Sequence, residues 1–137
     1  MKKIIIGAVF ITGILAAFFF VFLPHDMTRD DIINELEKNK SAYQTVAEYF
    51  VNHRDVTAPY IYTQDASEFA EIQENIKKTL DSGFLYIGIK NEHKEIVFGT
   101  SSQGSGDDHM LIYSPYSKPT CVSGAEQTKV GGWYIKM

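Results

Sequence analysis

Cysteine is nearly absent from this chain of 137 residues, in which Cys121 is the only one. A single cysteine excludes a framework of intramolecular disulfides and a zinc module that needs several cysteines. The four histidines are scattered, and no two of them stand at the spacing of metal ligands. We therefore expect no metal site and no cofactor.

Catalytic motifs are also missing. The chain has no G-x-S-x-G, S-x-x-K or H-E-x-x-H sequence, and no nucleophile motif flanks Cys121. The polar loop 99–108 lacks the lysine and the following helix of a phosphate-binding loop, and its Asp107 and Asp108 fall short of the about 6–8 oxygen ligands of calcium. The net charge of −4 disfavours nucleic acid as a partner. The sequence predicts that the protein is not an enzyme.

Charge is missing altogether from residues 4–23, a run that begins after two lysines and ends before Pro24. About 20 apolar residues in a helix span the hydrocarbon core of a bilayer. Because basic flanks stay on the cytoplasmic side, we expect the N-terminus in the cytoplasm and the C-terminal domain outside. The chain is divided into an N-terminal membrane anchor, residues 1–25, and an extracytoplasmic domain, residues 26–137.

A cleaved signal peptide is the alternative interpretation of this run. Signal peptides have an apolar region of about 7–15 residues that ends in small residues before the cleavage site. Here the small pair Ala16 and Ala17 is followed by the bulky residues FFFVF at 18–22. We therefore favour an uncleaved, single-pass anchor in the cell membrane.

Amphipathic helices are predicted in the first half of the domain. Thr28 caps an apolar stripe with a period of 3.6 residues, which predicts one helix over 28–53 with an interruption at Asn39 and Lys40. The polar residues of its opposite face are Glu35, Lys38, Gln44 and Glu48. A second stripe predicts another helix, which begins near Asp65 or Ser67 and ends with Gly83 as its C′ residue. That stripe consists of Phe69, Ile72, Ile76 and Leu80.

Strands are predicted from residue 84 onward, where the period changes to two. They cover 84–90, 95–100, 109–114 and 133–137, with a hairpin loop over 91–94. The first strand is expected to place Leu85, Ile87 and Ile89 on one face, opposite Phe84 and Tyr86. Segment 57–63 contains Pro59, which is typical of an edge strand or an extended crossover. The predicted fold class is α+β: an N-terminal transmembrane helix, then two helices packed on an antiparallel sheet of about four strands.

Aromatic residues are the best candidates for a binding surface, because tyrosine and tryptophan are enriched at protein interfaces. Three segments of the chain supply them, and we expect these segments to meet beside the sheet. The residues named for partner binding are Tyr60, Tyr62, Tyr113, Tyr116 and Trp133. The alternative is that these side chains fill the core of a small domain.

Four segments carry a resemblance to a known group: GFLYIGI at 83–89, EIVF at 95–98, LIYSP at 111–115 and GWYIK at 132–136. Together with the apolar N-terminus, they resemble small single-anchor proteins of Gram-positive bacteria. Those proteins also pair an N-terminal anchor with a helix-then-strand domain that ends in a Trp-Tyr strand. The resemblance covers the order of elements along the chain and implies an extracytoplasmic α+β domain without indicating an activity.

Three classes of function remain. The first is a membrane-anchored binding module that protects the cell, as an immunity protein does, by capturing a toxin or an envelope enzyme. The second is an accessory subunit of a membrane protein complex, in which the apolar helix packs against other helices. The third is a small surface enzyme of unknown class. The first class fits aromatic loops without a catalytic constellation, and it implies a protein partner beside the membrane contact of residues 4–23.

The predicted topology can be tested on intact cells or spheroplasts. Protease added from outside is expected to digest the chain beyond Pro24 and to leave the N-terminus protected, because the apolar helix keeps that end in the cytoplasm. Protection of both ends would contradict the orientation. A mature protein that begins between residues 17 and 25 would contradict the anchor.

Overall fold

The computed structural model describes residues 27–101 and 109–137. Over these two stretches the chain forms three α-helices, one 3-10 helix and six strands, in an α+β arrangement that confirms the predicted class. The helices are α1 (Arg29–Lys38), α2 (Lys40–Asn52), a 3-10 helix (Thr63–Glu68) and α3 (Gln73–Asp81). The strands are β1 (Tyr60–Ile61), β2 (Tyr86–Lys90), β3 (Glu95–Gly99), β4 (Met110–Tyr113), β5 (Glu126–Gln127) and β6 (Trp133–Lys136).

The strands form one antiparallel sheet in the order β1-β2-β3-β4-β6-β5. Among the described helices, none combines the length and the apolar character needed to cross a bilayer. The anchor predicted for residues 4–23 lies outside the described residues, as does most of loop 99–108.

The first predicted helix is in fact two helices, α1 and α2, because the chain turns at Asn39. This residue is both the C-cap of α1 and the N-cap of α2, with φ −120° and ψ 30°. Its Nδ2 donates to Oε1 of Glu35 at 2.7 Å, so the amide of Asn39 has a hydrogen-bond partner at the turn. The turn falls where the apolar stripe is interrupted. At the other end of α1, Thr28 caps the helix as predicted, and it forms a capping box with Asp31.

The second predicted helix is shorter than expected. Only α3 is α-helical, and the residues before it form the 3-10 helix, whose first turn is fixed by the Tyr62 N–H bond to Asp65 at 2.9 Å. Phe69 and Ile72 lie between the two helices and are still buried, so the apolar stripe marks burial correctly where it misplaces the helix start. Gly83 follows the C-cap with φ +134°, as predicted.

The sheet is larger than predicted. Segment 57–63 does supply an edge strand, β1, and β5 adds a second edge that the sequence did not indicate, because its two residues are polar and exposed. The predicted faces of β2 also need a correction. Ile87 and Ile89 face the helices as expected, but Phe84 packs with them and Leu85 is 45% exposed. Both precede β2, which begins at Tyr86, so strand alternation does not apply to them.

The helices cover one face of the sheet and form the helix-side core with it. Tyr43 of α2 contacts Phe98 of β3 edge-on, with ring centroids 5.2 Å apart, and Trp133 of β6 lies 5.9 Å from Phe98. Isoleucines and leucines of α1, α3 and the central strands complete this core. Each fully buried side chain of this kind contributes about 1.5–3 kcal/mol relative to an exposed one.

Two residues expected on the solvent face of the first helix instead serve this core. The side chain of Gln44 accepts the indole N–H of Trp133 at 2.9 Å and donates to the hydroxyl of Tyr113 at 3.0 Å. Glu35 accepts the hydroxyl of Tyr43 at 3.2 Å. Buried tryptophan and tyrosine need such partners, because an unsatisfied polar group in the core is costly.

The opposite face of the sheet is also apolar, and an irregular segment, residues 114–125, lies across it. We call this segment the strap. Beneath it, Tyr86, Val97 and Ile112 form a second buried cluster together with Ala125 of the strap. The Tyr86 ring lies across Gly99 of the neighbouring strand, where a side chain would overlap it. The glycine at the end of β3 is therefore explained by the close approach of a ring.

We expect Gly99→Ala to destabilise the domain by about 1–3 kcal/mol, the usual cost of overpacking a core. Gly88→Ala is the matched control, because a methyl group there would meet its nearest neighbour, Tyr86, at an ordinary 3.4 Å. The measurement is urea-induced unfolding of both variants and the parent. Equal stabilities of the two variants would show that the Tyr86 ring moves aside without cost.

Candidate partner-binding site

The five residues named for partner binding do not form one surface. Trp133 is fully buried and Tyr113 is 7% exposed, and both belong to the helix-side core. Tyr60 and Tyr62 are half-buried on the opposite face, beside the second cluster. Tyr116 alone among the five exposes most of its side chain, 72%. The expectation that these segments converge is therefore corrected: alternate strand positions point to opposite faces.

Tyr113 shows why a tyrosine next to the strap need not be a contact residue. Burial raises the pKa of its phenol, although the hydrogen bond from Gln44 acts in the opposite direction. Its ring lies 5.0 Å from that of Trp133. Tyr113 therefore supports the core, and Tyr116, three residues later and on the strap, is the remaining candidate.

The hairpin turn between β2 and β3 faces Tyr116. Its residues Asn91, Glu92 and His93 all have positive φ, of 49°, 55° and 67°. Each non-glycine residue in this left-handed region costs roughly 1–2 kcal/mol. Such a turn persists only where its surroundings hold it.

Two side chains of the turn, His93 and Asn91, hold it in place. The Nδ1–H of His93 donates to the carbonyl of Phe50, at the end of α2, at 2.7 Å. On the other side, the amide of Asn91 donates to the carboxylate of Glu95 and, at 2.7 Å, to the hydroxyl of Thr120 in the strap. The turn is thus clamped between the helix layer and the strap.

Glu95 is the centre of this arrangement. Its residue is 4% exposed, and Oε1 accepts the backbone N–H groups of Thr120 at 2.8 Å and Cys121 at 3.0 Å. Oε2 accepts the Thr120 hydroxyl at 3.1 Å and the Asn91 amide. One carboxylate therefore joins the first residue of β3, the hairpin turn and the middle of the strap.

These contacts change the acidity of two groups. Burial by itself would raise the pKa of Glu95, but the hydrogen bonds from Asn91, Cys121 and Thr120 outweigh it, and the pKa lies below its ordinary value. For the Cys121 thiol, burial and the hydrogen bond to the Glu95 carboxylate raise the pKa to about 12. Since the thiolate is the reactive form, Cys121 is a poor nucleophile at neutral pH.

An open cleft of about 410 Å³ lies between the hairpin turn and the strap, and we call it the Tyr116 cleft. Its lining consists of Asn91, Glu92, Lys94, Glu95, Ser114, Tyr116, Ser117 and Thr120. In the floor, the Glu95 carboxylate and its donors satisfy one another. The side chains of Glu92, Lys94, Tyr116 and Ser117 make no hydrogen bond or ion pair to another residue of 27–101 or 109–137.

The chemistry of the cleft suits recognition. Its rim offers a carboxylate, an ammonium group, a hydroxyl and an exposed aromatic ring around a preformed floor. Such groups bind a polar surface through hydrogen bonds and paired charges, with the ring supplying contact area. Within the described residues, no group of three or more metal-ligating side chains is present.

The cleft and the N-terminus of the domain lie at opposite ends of the sheet. Met27, the first described residue, accepts a hydrogen bond from His109 Nδ1 at 3.0 Å, where β4 begins. The cleft lies where β3 begins and β4 ends. A strand of five residues separates these ends by about 15 Å, at roughly 3.4 Å per residue.

Sequence reasoning missed most of the cleft. Glu95, Asn91 and Thr120 were not singled out, because no short motif connects residues 25 positions apart. The available signal was weak: a glutamate as the first residue of an apolar strand, next to a polar four-residue loop. Tyr116 was the part of the cleft that the sequence did indicate.

No protein-family model, curated protein or solved structure matches the chain.

We expect Glu95→Gln to destabilise the domain by about 1.5–3 kcal/mol at pH 7, the range for hydrogen bonds to a charged group. Folding lowers the pKa of Glu95, so its stabilising effect is complete above the unfolded value of about 4.3 and is lost as the pH falls through the folded value. The difference between the urea midpoints of parent and variant should therefore decrease as the pH falls from 7 to 3.

Glu92→Gln is the matched control, because it removes an exposed carboxylate on the same turn. It should retain the stability of the parent at pH 7. Parallel curves for the parent and Glu95→Gln across the whole pH range would contradict the assigned role of the carboxylate.

Proposed function

We propose that the chain is a single-pass, membrane-anchored binding module outside the cytoplasm, and that its protein partner docks at the Tyr116 cleft. The observation that carries this proposal is the contrast between floor and rim. The floor is held by a saturated carboxylate, whereas the rim side chains are exposed and unpaired within the described residues.

A preformed site binds with a smaller loss of conformational entropy than a site that must be ordered by the partner. Here the strained hairpin turn is already clamped by His93 and Asn91, and the strap is already fixed by Glu95. Backbone strain that is held by surrounding structure is common at functional sites. The clamped turn therefore supports a recognition role for this end of the domain.

Tyr116 is the proposed anchor of the contact. It is the most exposed of the large apolar side chains in the described residues, at 72%, and it stands beside Pro115, whose ring restricts the backbone. An aromatic ring that supplies area and a hydroxyl is a typical centre of a protein interface. Glu92 and Lys94 flank it with opposite charges, which would select a partner with the complementary pair.

The position of the cleft supports a role away from the membrane. If residues 4–23 form the anchor, the chain enters the domain at Met27 and the cleft lies at the far end of the sheet. A partner approaching from outside would then meet the cleft first. We infer that the partner is a toxin or an envelope enzyme, whose capture at the cell surface protects the cell.

We expect Tyr116→Ala to weaken partner binding by about 1–2 kcal/mol, the scale of a hot-spot tyrosine, and to leave the melting temperature unchanged. Lys118→Ala is the control, since it alters an exposed residue of the same strap that does not line the cleft. The partner is first isolated from an envelope extract with the immobilised full-length protein, and its affinity for each variant is then measured. Equal losses for both variants would contradict the assigned site.

The proposed capture role differs from that of an accessory subunit in one measurable respect. A capture domain should bind its partner when residues 26–137 are expressed without the anchor, whereas a subunit held by helix packing should not. Loss of binding on removal of residues 1–25, with the domain still folded, would favour the accessory subunit.

A further inference from the structure

We propose that Glu95 is the positioning residue of the Tyr116 cleft, because its carboxylate latches a strap that opens as a unit while the helix-side core stays folded. The latch is a property of the fold by itself. Its consequence for a bound partner rests on the proposed function.

The hydrogen bonds of the strap point to this behaviour. Between residues 115 and 125, the described bonds to the rest of the domain all end on Glu95 or Asn91. The next bond along the chain, from the Ser114 N–H to the Gly132 carbonyl at 2.8 Å, lies where the strap leaves β4. The hydrogen bonds from the middle of the strap to the rest of the domain therefore all lie at one place, and its other contacts are the apolar ones of Cys121, Val122 and Ala125 in the second cluster.

The strands beneath the strap are attached very differently. Strand β3 pairs with β2 through five residues and with β4 through four, and all five of its residues are buried. Proteins open locally in units whose free energies range from near zero to the global value, according to burial and hydrogen bonding. We therefore expect the strap to open at a lower free energy than the sheet.

Opening of the strap would dismantle the cleft. Half of the eight lining residues belong to it: Ser114, Tyr116, Ser117 and Thr120. Opening would also expose Tyr86, Val97 and Ile112 to water, and this apolar area favours the closed state. A partner that docks at the cleft binds the closed state alone, so binding would suppress strap opening.

Amide hydrogen exchange on the full-length chain in detergent micelles tests the latch directly. The reporters are the N–H groups of Thr120 and Cys121, which donate to Glu95, and those of Val97 and Phe98 in β3. In the parent, the strap amides should exchange faster than the β3 amides, with a weaker dependence on added urea, because opening the strap exposes less surface than unfolding the whole domain. Equal rates and equal urea dependence in both segments would overturn the proposal.

Substitutions of Glu95 and Thr120 test whether the carboxylate is the latch. Glu95→Gln should accelerate exchange at Thr120 and Cys121 by at least about tenfold relative to β3, given the strength of hydrogen bonds to a charged group. Thr120→Val removes one donor to the carboxylate and should accelerate the Cys121 amide several-fold, which keeps the test available if Glu95→Gln fails to fold. The control Glu92→Gln should change neither. An unchanged ratio of strap to β3 exchange in either latch variant would overturn the role of Glu95.

These measurements need no partner. Failure of the latch would leave the proposed capture function standing, and failure to find a partner would leave the latch standing.

Discussion

Strand β3 is buried along its whole length, and this double burial is the constraint on which the rest of the domain depends. Ile96 and Phe98 point to one face of the sheet, and Val97 points to the other. Burial of such side chains stabilises the fold only if both faces are kept from water. A small domain with two helical stretches can cover one face with helices, and the other face needs a different cover.

The helices and the strap, which cover the two faces of the sheet, satisfy the hydrogen-bonding groups of their backbones in different ways. The helices bond their N–H and C=O groups internally, whereas the strap has no regular structure and needs outside acceptors for N–H groups such as those of Thr120 and Cys121. Glu95 meets this need, and the cost of burying its carboxylate is offset by the donors that surround it. The Tyr116 cleft follows from covering this face with an irregular segment, since an irregular backbone cannot pack as closely as a helix.

The proposed binding role depends on the same difference between regular and irregular segments. Strands and helices form a scaffold in which Trp133, Tyr113 and Tyr43 are buried and hydrogen-bonded. The turn and the strap carry the exposed groups, as loops on rigid scaffolds commonly do. Aromatic residues that look alike in the sequence therefore serve different purposes, with Trp133 in the core and Tyr116 at the surface.

The sequence by itself determined the α+β class, the hairpin between β2 and β3, the capping of α1 at Thr28 and the end of α3 at Gly83, because periodicity and capping are local properties. It marked the interruption at Asn39 without showing a turn, and it could not indicate β5, whose two polar residues carry no pattern. Only the tertiary structure separated Trp133 and Tyr113 from Tyr116, because the face on which an aromatic lies depends on strand register and on what covers that face. Only the tertiary structure brought Glu95 to Thr120, since a carboxylate finds donors by proximity in space and a separation of 25 positions leaves no trace of that contact in the sequence.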